Sequence, residues 1–391
     1  MSDRPTNNRT AARILLAACA TIISLVAAEL ALNWCLTSVA SPRLLQKYGS
    51  VKQIRSAAAL RFAAHPYLPF IPAPNYTKGP NRHNALGFRG DEVAVPKPDG
   101  VYRIVLLGGS TTYSTGIDDY GKSYPVVLQQ GLRASGHGQV EVVNAGCSMY
   151  SSWESLINLQ FRVLDLEPDL AIVYHGINDV HPRFVHPASA YTGDNHGSRM
   201  AFIDRPQSAW NCLALLRVVR TVCGQRRGNA GMGVFQTYHG VETNHADQFE
   251  LQKKRGTYPA GIFESVPAQR MLADNPPVFF ERNLRSIAGI CQAQNVDCML
   301  MTFAVSSQFT DEPRVTSEEY TSAYAEQNEV VRALAGECQI PCLDFAAVMP
   351  HDREYWEDGR HVTEAGAVVK AEFVANFVRT NFLQPTAGED P

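Results

Sequence analysis

Val101-Tyr102-Arg103-Ile104-Val105-Leu106-Leu107 runs straight into Gly108-Gly109-Ser110-Thr111-Thr112, and the reading of this stretch decides the fold. A near-continuous apolar run of this length, closed by glycines, is expected of a strand buried on both faces in the middle of a parallel sheet. The glycines let the chain turn tightly at the end of that strand. A serine is thereby delivered onto the turn, with a helix to follow.

Outward from this stretch, strand and helix alternate. Residues 124–134 read as helix, 140–144 as a second strand, 153–163 as helix and 170–174 as a third strand ending at His175-Gly176. An irregular insertion follows at about 182–277, with one helix candidate at 210–222. The alternation resumes with helix 279–294, strand 297–303, helix 317–336, strand 342–345 and a closing helix 363–382. Five strands with intervening helices predict an α/β protein with a doubly wound parallel sheet. Ligands of such sheets bind at the carboxyl ends of the strands. Ser110, Gly146 and Asn178 each fall just after such an end, so three loops converge on one edge.

The ends of the chain set its context. It has 391 residues, of which 45% are hydrophobic, and a net charge of −3. That charge, with no long run of one sign, points away from nucleic acid. Arg4, Arg9 and Arg13 precede an apolar stretch that continues past Glu29 to Leu36. A helix from about 13 to 36 is long enough to cross a bilayer, and arginines before it keep the N-terminus in the cytoplasm. Glu29 then lies near the outer interface, with Trp34 as an anchor. A cleaved signal ending near Ser38-Val39-Ala40 is the rival reading. The organisation expected is therefore an anchor at 1–40, a proline-rich linker and strap at 41–100, and the sheet domain at 101–391. Within the strap, Asn84-Ala85-Leu86-Gly87-Phe88-Arg89-Gly90 reads as a surface turn packed on that domain. Cys212/Cys223, Cys291/Cys298 and Cys338/Cys342 could each close a short loop in an oxidising compartment, although spacing does not fix connectivity.

The second informative stretch lies near the other end: Asp358-Gly359-Arg360-His361, then Val362-Thr363-Glu364-Ala365-Gly366. A carboxylate stands three residues before a histidine at the mouth of a helix. A serine hydroxyl is a poor nucleophile until a base takes its proton. An Asp beside the imidazole Nδ1 leaves Nε2 for that serine. Blander roles exist for each residue. Ser110 could cap a helix, and Gly108–Thr112 could cradle a phosphate, although no P-loop lysine follows. Asn178 and Asp179 could stabilise a turn. His361 could be a surface residue, and Glu357 could replace Asp358 as the acid. His175, Asp179, His181 and His186 cluster in sequence, but without the spacing of a zinc-protease helix.

Four blocks thus stand in order: Gly109-Ser110, Gly146, Gly176-Ile177-Asn178-Asp179 and Asp358-Gly359-Arg360-His361. In this the chain resembles the SGNH hydrolase superfamily, the GDSL-type esterases, over about residues 101–382, as a membrane-anchored bacterial member. The resemblance implies a flavodoxin-like three-layer α/β/α sandwich around a parallel sheet of about five strands. It implies ester hydrolysis with no metal or other cofactor. It implies Ser110 as nucleophile, His361 as base and Asp358 as its orienting acid. The oxyanion hole would come from the Ser110 and Gly146 N–H groups and the Asn178 side chain. The family's usual Asp before the serine is Gly109 here. The expected activity is hydrolysis of an O-acyl ester, O-acetyl favoured, on a carbohydrate, cell-envelope polymer or lipid outside the membrane. An O-acyltransferase with the same triad, or a glycan-binding protein on the same scaffold, are the alternatives.

Overall fold

The computed structural model describes residues 7–41, 44, 48, 61–63, 65–193, 212–223 and 245–383. Arg4, the start of the 210–222 helix candidate and much of the expected linker lie outside them. The chain divides into two compact units, Met1–Ala64 with Met200–Val234, and His65–Arg199 with Phe235–Pro391.

The first unit is built on a helix, Asn7–Ser38. Its portion Arg9–Ser38 is long and apolar enough to cross a membrane, and none of its most apolar window is buried. Glu29 has a definite task there. Its carboxylate accepts the N–H groups of Ala214 (2.7 Å) and Leu215 (2.9 Å). These open the helix Ala214–Val222, whose first N–H groups have no acceptor of their own.

The second unit holds a five-stranded sheet. Its strands are β1 Tyr102–Gly108, β2 Val140–Asn144, β3 Leu170–Tyr174, β4 Asp297–Met301 and β5 Cys342–Leu343. They lie in the order β2-β1-β3-β4-β5, all parallel. This is the flavodoxin-like order, whose switch point falls between β1 and β3. The helices are α1 Ser110–Tyr113, α2 Tyr124–Ala134, α3 Ser152–Asn158, α4 Ile177–Val180, α5 Ala246–Arg255, α6 Ala268–Asp274, α7 Val278–Ala293, α8 Glu318–Cys338 and α9 Glu364–Asn381.

The period of β1 builds two cores. Ile104 and Leu106 join Leu128 and Leu132 of α2 and Val374 and Val378 of α9. Val105 and Leu107 face the other way, against Leu284 and Ile287 of α7 and Val331 and Leu334 of α8. All four strand residues are fully buried, each worth about 1.5–3 kcal/mol relative to exposure. The expected three-layer sandwich is what forms. Arg103, the one charge in the strand, is also fully buried. It is satisfied by Glu141 (2.5 Å) and the carbonyls of Ala94 (2.9 Å) and Leu166.

Several expectations change in detail. The 182–277 stretch contains α5 and α6, which the sequence reading passed over. α5 is mostly polar and buries only Ala246 and Phe249, so it lacks an apolar stripe. Helix 153–163 is α-helical only to Asn158 and continues as a π turn, Leu159–Val163. The last strand stops at Leu343, because residues 345–348 coil into a short helix. Part of the stretch expected as a strap is structured within this unit. Phe70 and Phe88 are buried, Tyr150 donates its hydroxyl to the Phe70 carbonyl (2.5 Å), and Lys97 pairs with Asp169 (2.7 Å). None of the nine cysteines is joined in a disulfide. Cys291 and Cys298 do meet, joined by a side-chain hydrogen bond in the core.

Candidate active site

The serine turn is built by exclusion. A Cβ at Gly108 would stand 2.1 Å from Thr112 Oγ1 and 2.6 Å from the Tyr174 carbonyl. One at Gly109 would stand 2.8 Å from Asn178 Nδ2 and 2.9 Å from the Tyr150 carbonyl. A side chain at 109 would push against the Asn178 amide and the Tyr150 carbonyl. β1 and β3 end level, with Gly108 opposite Tyr174. Ser110 and Asn178, each opening the loop beyond, are therefore neighbours. The Asn178 amide donates one N–H to Tyr150 O (2.9 Å), which leaves its second proton for another acceptor. As the first residue of α1, Ser110 has a backbone N–H with no intrahelical acceptor.

The distant pair closes on this turn. His361 Nε2 lies 2.8 Å from Ser110 Oγ, and His361 Nδ1 lies 2.9 Å from Asp358 Oδ2. Gly359 sits in the left-handed region (φ 79°), which folds the two side chains together. Asp358 Oδ1 accepts the N–H of Arg360 (3.0 Å) and of His361 (2.9 Å), and Arg360 Nη2 donates to Oδ2 (2.8 Å). Burial pushes the Asp358 carboxyl up, but the hydrogen bonds from His361 and the charges of His361 and Arg360 overcome it. The group is held well below the usual carboxylate range. Glu357 turns its carboxylate toward Gly116 instead. Arg360, to which the sequence reading gave no role, touches the same Asp358 oxygen as His361.

Gly146 is not brought to the serine. Its N–H donates to Asn144 Oδ1 (3.1 Å), and a Cβ there would meet Tyr113 N at 2.7 Å and Thr112 Cβ at 2.8 Å. After β2 the chain passes behind α1, where Cys147 N–H binds Gly108 O (3.0 Å). It reaches the serine only near Tyr150, beyond Met149, which has a left-handed φ of 72°. A glycine just after a strand was a plausible oxyanion donor by sequence. Which N–H of a looping segment faces forward is set by the turn, and nothing in the composition fixes it.

The histidine-rich loop disperses. Asp179 accepts from Ser152 N (3.0 Å) and Ser152 Oγ (2.5 Å). His175 Nε2 meets Ser155 Oγ (2.8 Å). His175 Nδ1 stands 3.7 Å from Asp179 Oδ2. Burial pushes Asp179 up to about 7 and His175 down to about 3, so this contact joins a neutral imidazole to a weakly acidic carboxyl. The pair ties the Asn178 loop to the start of α3. His181 lies edge-on to Tyr320 and His186 is exposed. Among the described residues no group of three His, Cys, Asp or Glu side chains could share an ion.

A small cavity beside Ser110 has a volume of about 10 Å³ and is lined by Gly109, Tyr150, Tyr174, Gly176, Asn178 and Phe303, among others. That is roughly the space of one water.

A doubly wound sheet with this edge is the framework of an ester hydrolase. The chain belongs to the GDSL-like lipase/acylhydrolase family, whose model matches residues 106–369. No curated protein matches it. Among solved structures it is similar in fold to a lipase/acylhydrolase from Enterococcus faecalis (15% identity, TM-score 0.42, covering 74% of this chain and 100% of that one). It is similar also to TesA (15%, 0.40, 71% and 98%) and to the acetyl xylan esterase AlAXEase (16%, 0.40, 71% and 99%).

Proposed function

We propose that this ester hydrolase is a serine esterase working through an acyl-serine, and that its acyl group is acetyl. The observation that carries the first part is the unbroken chain Ser110 Oγ–His361 Nε2 and His361 Nδ1–Asp358 Oδ2, at 2.8 and 2.9 Å. Ser110 Oγ attacks the ester carbonyl carbon and its proton passes to His361 Nε2. Asp358 holds the imidazolium. The oxyanion takes hydrogen bonds from the Ser110 N–H and the free Asn178 N–H. His361 returns its proton to the departing alcohol, and a water repeats the sequence on the acyl-serine.

The acetyl assignment is supported by how little room the lining of Gly109, Tyr150, Tyr174, Gly176, Asn178 and Phe303 leaves beside the nucleophile, which favours a short acyl chain. The alcohol half then lies on the open side. We assign it to a carbohydrate or cell-envelope polymer, and place the enzyme on the outer face of a membrane, N-terminus inside, held by Asn7–Ser38. A series of p-nitrophenyl esters from acetate to octanoate tests this. The expected kcat/KM falls by at least tenfold from acetate to butyrate. Equal or rising rates with chain length refute acetyl. Acetyl transfer from the acyl-serine to an added sugar, in preference to water, would make the enzyme a transferase.

A further inference from the structure

The turn that carries Ser110 is gripped by two buried basic side chains, Lys370 and Arg89. Lys370, on α9, is 1% exposed. Its Nζ lies 3.3 Å from Thr111 O and over the rings of Tyr124 (4.2 Å), Tyr174 (3.9 Å) and Phe345 (5.5 Å). Among the described residues it pairs with no carboxylate. Arg89, in the segment read as a surface turn, is 4% exposed. Its Nη1 donates to the carbonyls of Tyr113 (2.7 Å) and Ser114 (2.9 Å), and its Nη2 to Ile117 O (2.5 Å). The guanidinium also stacks on Tyr113 (4.8 Å), and Asn81 Oδ1 accepts from Nε (2.8 Å).

Stability does not account for the lysine. It occupies the apolar stripe Ala367, Lys370, Ala371, Val374, Val378 of α9. An aliphatic side chain would fill the aromatic box without desolvating an ammonium, a change that is often neutral or stabilising. What an aliphatic residue would not do is hold Thr111 O, one residue from the nucleophile. α9 also begins three residues after His361, so Lys370 fastens the helix that follows His361 to the turn that carries Ser110. Arg89 holds the far end of the same turn by the carbonyls of Tyr113, Ser114 and Ile117, at and just beyond the end of a four-residue helix.

Resting on the assignment of Ser110 as nucleophile, we propose that Lys370 and Arg89 are positioning residues that together fix the Ser110 turn. Neither touches the reacting atoms. They set where Oγ stands relative to His361. Small misplacements at a nucleophile cost up to about 100-fold in rate.

The test needs no knowledge of the natural substrate. Full-length wild type and the Lys370→Met, Arg89→Lys, double and Ser110→Ala variants are labelled with a fluorophosphonate. The maximal labelling rate, the half-saturating concentration and Tm are measured for each. Lys370→Met is expected to label about 10–100-fold more slowly, with half-saturation within twofold of wild type and Tm unchanged or raised. Arg89→Lys keeps the charge, loses the fork, and should also label more slowly. The double variant should be faster than the product of the single effects allows, because both act on one turn. Lys370→Met labelling at the wild-type rate overturns the proposal and leaves the nucleophile assignment standing. So does a rate loss that only follows the unfolded fraction. A wild-type chain not labelled at Ser110 removes both.

Discussion

Replacing Asn178 tests the oxyanion assignment most directly. Its Nδ2 is 2.9 Å from Tyr150 O and packs over Gly109, where a Cβ would stand 2.8 Å from it. One N–H is thus committed to holding the amide, and the other is left for a further acceptor. Asn178→Ala removes both. Losing the free donor raises the barrier by about 2.7–4 kcal/mol, or two to three decades in kcat. Losing the bond to Tyr150 O costs about 0.5–1.5 kcal/mol of stability, too little to unfold a domain of this size. Asn178→Asp separates the two effects: it keeps the shape, cannot donate when ionised, and brings a negative charge toward the oxyanion. Its kcat should fall at least as far as that of the alanine variant. Steady-state hydrolysis of p-nitrophenyl acetate reads kcat and KM separately, with circular dichroism as the check on folding. If kcat stays within threefold of wild type in both variants, or only KM moves, Asn178 is not an oxyanion donor.

Ser110→Ala should abolish turnover and fluorophosphonate labelling with the fold intact; activity near wild type would exclude the nucleophile. Asp358→Asn presents an amide to His361 Nδ1 and favours the wrong tautomer, so kcat should drop by about 10⁴; a tenfold loss would point to a different orienting group. Asp179, pushed up from 3.8 to about 7 by burial, keeps in the folded state a proton that the unfolded chain has already released. Stability is therefore lost as pH rises from about 4 through 7, and Asp179→Asn should gain more in Tm over wild type at pH 8 than at pH 5; an equal difference at both would refute the shift. A reporter active only outside the cytoplasm, fused after Pro391, should be active; a silent but intact fusion would reverse the topology.

The juxtaposition of Ser110, His361 and Asp358 was legible. Ser110, His361 and Asp358 are residue types that acyl transfer requires, each beside a glycine or helix start that the sequence displays. The sheet was legible too, because β1 and β3 are apolar runs that stop at glycines. The supporting contacts were not. Lys370 left a faint mark as the one cation in the apolar stripe of α9. Arg89 left less, since a guanidinium that binds carbonyls looks in sequence like any surface arginine. Gly146 failed for the converse reason: a glycine signals that backbone comes close to something, and here that something is the back of α1. Glu29 was read as an interface marker, and its work as the acceptor for Ala214 and Leu215 depends on a segment 185 residues away.

The sheet order explains why the supports sit where they do. Ser110 and Asn178 are neighbours for free, because β1 and β3 are paired strands that end level. His361 has no such advantage. It follows β5, at the edge of the sheet, with β3 and β4 between it and β1. Its loop must cross both strands to reach the serine. The crossing is supported from below by the loop after β4, where Ser306 N–H binds Gly359 O (2.8 Å) and Ser306 Oγ binds the His351 carbonyl. It is drawn back to β1 by α9, through Val374 and Val378 in the core shared with α2 and through Lys370 on Thr111 O. The proposed base is therefore positioned by tertiary packing, where the proposed oxyanion donors are positioned by strand pairing. Perturbations of α9 should lengthen the His361–Ser110 contact first and leave the proposed acyl cavity, lined mainly by the loops after β1 and β3 with Tyr150 and Phe303, unchanged. Loss of nucleophile reactivity with acyl-chain preference intact is the signature of that division.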